Sequence, residues 1–269
     1  MSLDSSKKPQ SHFDDKSTLL FVYLSGFFIA NAIVAEFVGI KVFSLERSLG
    51  FDPLNLPFGG LHFSLNLTTG VLLWPLVFVM TDVINEYYGR RGVKILSYMA
   101  VILIGYAFLM IFLAINLHPA DFWLMRESGT DVGLINMQVA FEVIFGQGLW
   151  IIIGSLVAFL VGQLIDVSLF YMVKKRTGEK YLWLRATGST LVSQAVDSFI
   201  VLFISFHLNP ATQWDIKLIF TMFVIKYLYK FIIAIAMTPL IYLLHNVIDT
   251  YLGETLAAEL KQRAMQSQR

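Results

Sequence analysis

The chain of 269 residues has no cysteine, which removes disulfides, thiolate metal sites and cysteine nucleophiles together. Charge is scarce too: 14% of the residues are Asp, Glu, Lys or Arg, against about a quarter in ordinary soluble domains. A net charge of +1 and the lack of any long basic run argue against nucleic acid as a partner. The histidines, His12, His62, His118, His207 and His245, form no H-E-x-x-H motif and lie far apart, so no metal is expected. There is no Walker A sequence, hence no ATPase in this chain, and nothing points to another cofactor. What is abundant is apolar residue, 57% of the chain, with a mean hydropathy of +0.68. That composition belongs to a polytopic membrane protein, with the lipid bilayer as its solvent.

Apolar runs predict an all-α domain of six transmembrane helices at about 19–40, 68–84, 93–117, 141–173, 184–208 and 218–247. Each is long enough for a hydrocarbon core of about 30 Å at 1.5 Å per residue. The fourth run exceeds one perpendicular crossing and is expected to tilt or project. Pro75, in the second run, predicts a kink there. Residues 1–18 read as a disordered cytoplasmic tail, 19–247 as the transmembrane domain and 248–269 as a second cytoplasmic tail holding a short charged helix. Lys7, Lys8 and Lys16 before an apolar run with Ala30-Asn31-Ala32 have the look of a cleaved leader. The run continues to Ile40, however, and Asp14 and Asp15 dilute the positive end, so a retained helix is expected. Lys41–Leu67 and His118–Gln138 read as irregular connections. Basic residues collect on one side, as in Arg90, Arg91, Lys94 and Lys174, Lys175, Arg176, Lys180, while the other side has only Lys41, Arg47, Arg126 and Lys217. The positive-inside rule then puts both termini in the cytoplasm, and an even number of spans agrees.

The second run, TTGVLLWPLVFVMTDVINEYYG, ends in polar residues. On a helix Asp82, Asn85, Glu86 and Gly89 fall at i, i+3, i+4 and i+7, one stripe of carboxylates and an amide at the inner half of the membrane. Ionisable groups there are costly unless they face protein, water or a ligand, so they mark a candidate binding site. The plainer alternative is a solvated helix end, but Asp82 lies within the apolar run. In the fifth run, TGSTLVSQAVDS puts Ser189, Ser193 and Asp197, and Thr190, Gln194 and Asp197, on one broad face. Ser189, Thr190 and Ser193 read as interhelical glue, Gln194 and Asp197 as ligand contacts. Asn31 and Glu36 add polarity to the first run, and Gln147, Gln163 and Asp166 to the fourth. Arg185, Lys226 and Lys230 are candidate charge partners for Asp82, Glu86, Asp166 or Asp197. Trp74 and Tyr87 share the second run with the polar stripe and could stack on a flat ligand.

Carboxylates, amides and aromatics without a ring of one charge suit a small neutral or cationic ligand rich in hydrogen-bond donors; a guanine-like ring fits, though not uniquely. The segments TDVINEYYG, with TTG upstream, GSTLVSQAVDSFIVLFISF, and KYLYK with MTPLIYLL further on resemble the signature regions of the queuosine precursor transporter family, once called putative vitamin uptake transporters. The likeness runs from Leu19 to His245. It implies an inner-membrane importer of 7-deazaguanines (the 7-cyano or 7-aminomethyl precursor, or queuine) for tRNA modification. It also implies a fold resembling the substrate-binding subunits of energy-coupling-factor transporters. Asp82, Asn85 and Glu86, with Gln194 and Asp197, are the binding residues the resemblance carries over. Ala30, Ala32 and Ala35 are off the A-x-x-x-A spacing of an ATPase-docking face, which favours a stand-alone carrier. The alternatives are a carrier for another vitamin or nucleobase, or a non-transporting membrane subunit. An enzyme is not expected, since Ser189 and Ser193 have no nearby histidine in the sequence. The oligomeric state, a homo-oligomer included, is open at this level.

Overall fold

A computed structural model of the chain describes residues 15–54, 56–58, 61–127, 129, 133–146, 148–178 and 180–266. Of the expected disordered tail over 1–18, residues 1–14, with Lys7, Lys8 and His12, lie outside the described residues, as does Gln147, and residues 16–18 already belong to the first helix. The chain is mostly helical. Among the described residues, five helical stretches are long and apolar enough to cross a membrane: Lys16–Val38, Thr69–Ile115, Met137–Thr177, Leu182–His207 and Ile216–Leu252. This is a multi-pass membrane protein.

Helix α1 (Lys16–Val38) begins at Asp15, whose carboxylate accepts from the Thr18 hydroxyl at 2.9 Å and from the Ser17 and Thr18 amides at 3.2 Å. Those bonds, the Thr18 hydroxyl foremost, hold the Asp15 carboxyl below its ordinary range. Beyond α1, strand β1 (Val42–Ser44), the single turn α2 (Leu45–Ser48), strands β2 (Leu56–Phe58) and β3 (Leu61–Phe63), and strand β4 (Asn66–Thr68) fill the first connection; β1 pairs with β4 and β2 with β3, both antiparallel. Glu46 of α2 organises this segment. It accepts from the Leu65 amide at 2.6 Å, the Ser44 hydroxyl at 2.9 Å and the Leu54 amide at 3.5 Å. The Leu65 bond above all draws its carboxyl below the usual value.

Helix α3 (Trp74–Ile115) is interrupted at Gly89, where φ is 69° and ψ −176°. Only glycine adopts that backbone cheaply, and it turns the chain back on itself. The reversal is visible against α1. Gly70 lies near the Ala35 carbonyl and Phe37 packs on Phe108 at 5.2 Å, both at the far end of α1, whereas Phe21 near its start meets Tyr88 at 4.8 Å and lies beside Gly92. So the arms 74–88 and 90–115 run in opposite directions. The kink expected at Pro75 is not there. Pro75 stands in the first turn of α3, where a missing N–H breaks no helical bond.

After α3, the single turn α4 (Asp121–Leu124), strands β5 (Met125–Glu127) and β6 (Leu134–Asn136), paired antiparallel, and α5 (Met137–Phe145) form the second connection. The expected all-α architecture thus holds for the long helices, while both connections carry small hairpins. The long fourth run divides between α5 and α6 (Leu149–Thr177). A short turn returns α6 into α7 (Leu182–Leu202), which continues as a π-helical turn, Phe203–His207. In lipid, helices associate by close packing and polar contacts more than by the hydrophobic effect. Here Gly154, Ala158 and Gly162 make a small-residue row on α6; a Cβ on Gly154 would collide with the Ser205 hydroxyl and one on Gly162 would lie 3.3 Å from the Asp197 Cβ. The last long stretch also divides, into α8 (Ile216–Ala236) and α9 (Thr238–Leu252), with Pro239 in the first turn of α9. The closing helix is α10 (Glu254–Gln266). It buries Ala257 and Leu260 against Leu20, Val83, Tyr87, Ile248 and Leu252.

Candidate functional site

The more buried arm of α3, residues 74–88 (the inner arm), together with α6 and α7, encloses a polar core. Asp82 is 1% exposed, Asn85 2%, and Glu86, Gln163 and Asp166 0%. The antiparallel register of α6 and α7 assembles it. Descending the interface, Gly154 faces Ser205, Gly162 faces Asp197, and Asp166 faces Ser193, with Lys174 and Arg185 converging on Glu86.

The cluster has two parts. At the end nearest Gly89, Glu86 Oε1 lies 2.8 Å from Lys174 Nζ and 2.9 Å from Arg185 Nη2. Arg185 also donates to the Gly178 carbonyl at 2.9 Å and lies over the Phe170 ring. Buried charge is tolerated when it is paired and hydrogen-bonded; Glu86 Oε1 meets that condition through Lys174 and Arg185, while Glu86 Oε2 is buried without a hydrogen-bond partner. One turn deeper the pairing stops. Thr190 Oγ1 stands 3.5 Å from Asp82 Oδ2 and 3.4 Å from Asp166 Oδ1, and Ser193 Oγ stands 3.2 Å from Asp166 Oδ1. Thr81 Oγ1 donates to Gln163 Oε1 at 2.9 Å. Asp82 Oδ1, both polar atoms of Asn85, Asp166 Oδ2, Gln163 Nε2, Gln194 Nε2 and Ser198 Oγ are buried without a hydrogen-bond partner. Each such atom costs about 1–3 kcal/mol if nothing meets it.

Of the expected site residues, Asp82, Asn85, Glu86 and Gln194 come together here. Asp197 is at the rim, paired with Lys230 at 2.5 Å. Arg185 is the partner of Glu86. Lys226, set with Lys230 as one pair, is exposed on α8 and makes no ion pair among the described residues. Trp74 sits about two turns from Asp82, packed on Phe159 at 5.5 Å and Phe78 at 6.4 Å. The Asn31 amide donates to the Phe27 carbonyl of its own helix at 2.8 Å. Glu36 bonds Ser155 of α6 at 2.9 Å. Tyr87 is engaged by protein: its hydroxyl lies 2.8 Å from Asp249 Oδ1 and its ring stacks on His245 at 5.5 Å. Lys261 of α10 completes that contact, 2.9 Å from Asp249 Oδ2.

Lys174 was not separable from the basic residues after the fourth run, because a lysine at a helix end ordinarily snorkels to water. Asp166 and Gln163 carried a signal, an i, i+3 polar pair in an apolar run, but no way to say which helix they face. Elsewhere, at the far end of α3, a cavity of about 250 Å³ is lined by Ala114, Leu117, His118, Pro119, Trp123, Gln138 and Phe141. It is remote from the polar core.

The sequence profile of the putative vitamin uptake transporter family matches residues 68–244. The chain belongs to this family. The matched segment holds the paired and unpaired parts of the polar core alike, from Asp82 to Lys230. The chain is also 30% identical over 182 residues, 67% of its own length and 72% of the relative's, to the probable queuosine precursor transporter of Bacillus subtilis (strain 168). No solved structure matches it. Membership of a transporter family accords with buried polar atoms grouped inside a helical bundle.

Proposed function

We propose that this protein imports queuosine precursors of the 7-deazaguanine type across the inner membrane. The observation that carries the reading is the deeper half of the polar core: buried carboxylate, amide and hydroxyl atoms, contributed by three helices, without partners. A 7-deazaguanine presents adjacent N–H and NH2 donors on one edge and a carbonyl oxygen beside them. Asp82 and Asp166 can accept from the first, and the side-chain amides of Gln163, Asn85 and Gln194 can donate to the second. Glu86, matched by Lys174 and Arg185, braces the wall and gives the inner arm of α3 its orientation. The B. subtilis relative, a probable queuosine precursor transporter, supports this substrate class.

In this reading the two arms of α3 cross separately, making six crossings over residues 19–247. Segments 1–18 and 248–269 are cytoplasmic, α10 belongs to the inner face, and Gly89 turns the chain at that face. The likeness to energy-coupling-factor substrate-binding subunits rests on the sequence resemblance alone. Uptake of labelled 7-cyano-7-deazaguanine by cells lacking their own synthesis and carrier tests the function. Intact protein is expected to restore uptake, and Asp82→Asn to abolish it at unchanged membrane level. No uptake by the intact protein rejects the substrate, and full uptake by the variant rejects the site.

A further inference from the structure

The deeper half of the site is short of hydrogens. Asp82 and Asp166 offer carboxylate oxygens on facing helices, and the groups between them cannot satisfy both. The Thr190 hydroxyl lies 3.5 Å from one carboxylate and 3.4 Å from the other, but its single hydrogen serves one acceptor at a time. The Ser193 hydroxyl divides between Asp166 at 3.2 Å and the Thr190 carbonyl at 3.0 Å, and the Ser189 hydroxyl, which also faces Asp166, lies 3.1 Å from the Ala186 carbonyl and so divides its one hydrogen in the same way. Asp82 Oδ1 and Asp166 Oδ2 have no donor at all.

Charged groups on the surrounding elements are directed elsewhere. Glu86 on α3 is met by Lys174 of α6 and Arg185 of α7, Asp197 of α7 is met by Lys230 of α8, Glu36 of α1 bonds Ser155, and His245 of α9 contacts Tyr87. No cation lies within ion-pair distance of Asp82 or Asp166 among the described residues. Asn85, with neither amide atom partnered and 98% of its surface buried, sits one turn along from Asp82 and adds a second sign that something else occupies this space. Two like charges this close in a water-poor interior are costly, and one hydrogen placed between them relieves both the repulsion and the missing donor.

We propose that Asp82 and Asp166 together hold one exchangeable proton, and that its loading and release accompany each transport cycle. The carboxyl O–H forms when the site is open to the outside. Donors of the substrate meet the carboxylate oxygens that the proton leaves free, so the two are carried together; when the site opens to the inside the substrate departs, the O–H breaks and the proton leaves to water there. The coupling half of this inference rests on the proposed substrate; the proton site itself does not.

Two measurements separate them. Infrared spectroscopy of the purified protein near neutral pH is expected to show a protonated-carboxyl band that shifts in deuterium oxide and is lost in Asp166→Asn and in Asp82→Asn. A wild-type spectrum without the band, or a band that persists in both variants, overturns the proton site; the wild-type spectrum decides even where a variant does not fold. In liposomes, exchange of labelled 7-cyano-7-deazaguanine against the unlabelled compound tests the substrate. With exchange present, an inward acid gradient is expected to drive accumulation of about tenfold per pH unit, collapsing with a protonophore. Accumulation that ignores the pH gradient, or follows a sodium gradient instead, overturns the coupling. Absence of exchange rejects the substrate and leaves the band to decide the proton site.

Discussion

Glu86 and Asn85 are neighbours in sequence, yet they belong to opposite kinds of environment. Glu86 finds Lys174 and Arg185. Asn85, equally buried, finds nothing for either amide atom. A buried polar group with its partners in place contributes to assembly of the bundle. One without them is a standing cost that the packing elsewhere must offset, and it persists where a ligand supplies the missing partner. The contrast distinguishes the part of the cluster that holds helices together from the part that faces a guest, a division that polarity alone does not reveal.

The comparison is tested most severely at Glu86. Glu86→Gln leaves Lys174 and Arg185 buried around a neutral side chain, and breaking a buried ion cluster from one side costs about 3–5 kcal/mol. The expected result is a large fall in the thermal unfolding temperature in detergent and in membrane yield; a variant as stable as the intact protein would erase the distinction. Asn85→Leu is expected to do the opposite. Since no hydrogen bond is lost, stability should change by less than about 1 kcal/mol, while uptake of the labelled precursor disappears. Marked destabilisation there would mean that Asn85 has structural partners after all.

The smallest effect is expected at Glu46, outside the bundle. Its carboxyl is held below the ordinary value of 4.5 by the Leu65 amide, so the folded connection favours the ionised form. The resulting stability is complete above that ordinary value and is lost as pH falls through the lowered one. The protection factor of the Leu65 amide, its exchange rate divided into the intrinsic rate at the same pH, should be steady from neutral pH to about 4.5 and fall below it. Glu46→Gln should remove the pH dependence and leave the polar core unaffected.

Much of this was legible in the chain, for identifiable reasons. Spans of apolar residues, and the stripe of Asp82, Asn85, Glu86 and Gly89, follow from helical periodicity and the cost of charge in lipid. Pro75 misled because proline's effect depends on where the helix begins, and the helix begins one residue before it. Gly89 looked like the end of a motif and is in fact the reversal point, because a positive φ cannot be told from a glycine's presence alone. The fourth and sixth runs were read whole although each divides into two helices, since apolarity continues across both breaks. Lys226 and Lys230 share one helix stripe, but a stripe is wide enough for one residue to meet Asp197 and the other to face outward.

The sequence by itself determined that this is a membrane-embedded helical protein and which polar residues lie within its apolar runs, because both depend on local composition and a helix's own repeat. Only the tertiary structure decided which of those residues neutralise one another. Whether Asp166 faces Asp82, or Lys174 finds Glu86, depends on the register of α6 against α7 and the reversal at Gly89, and these are relations between distant segments that no local pattern encodes.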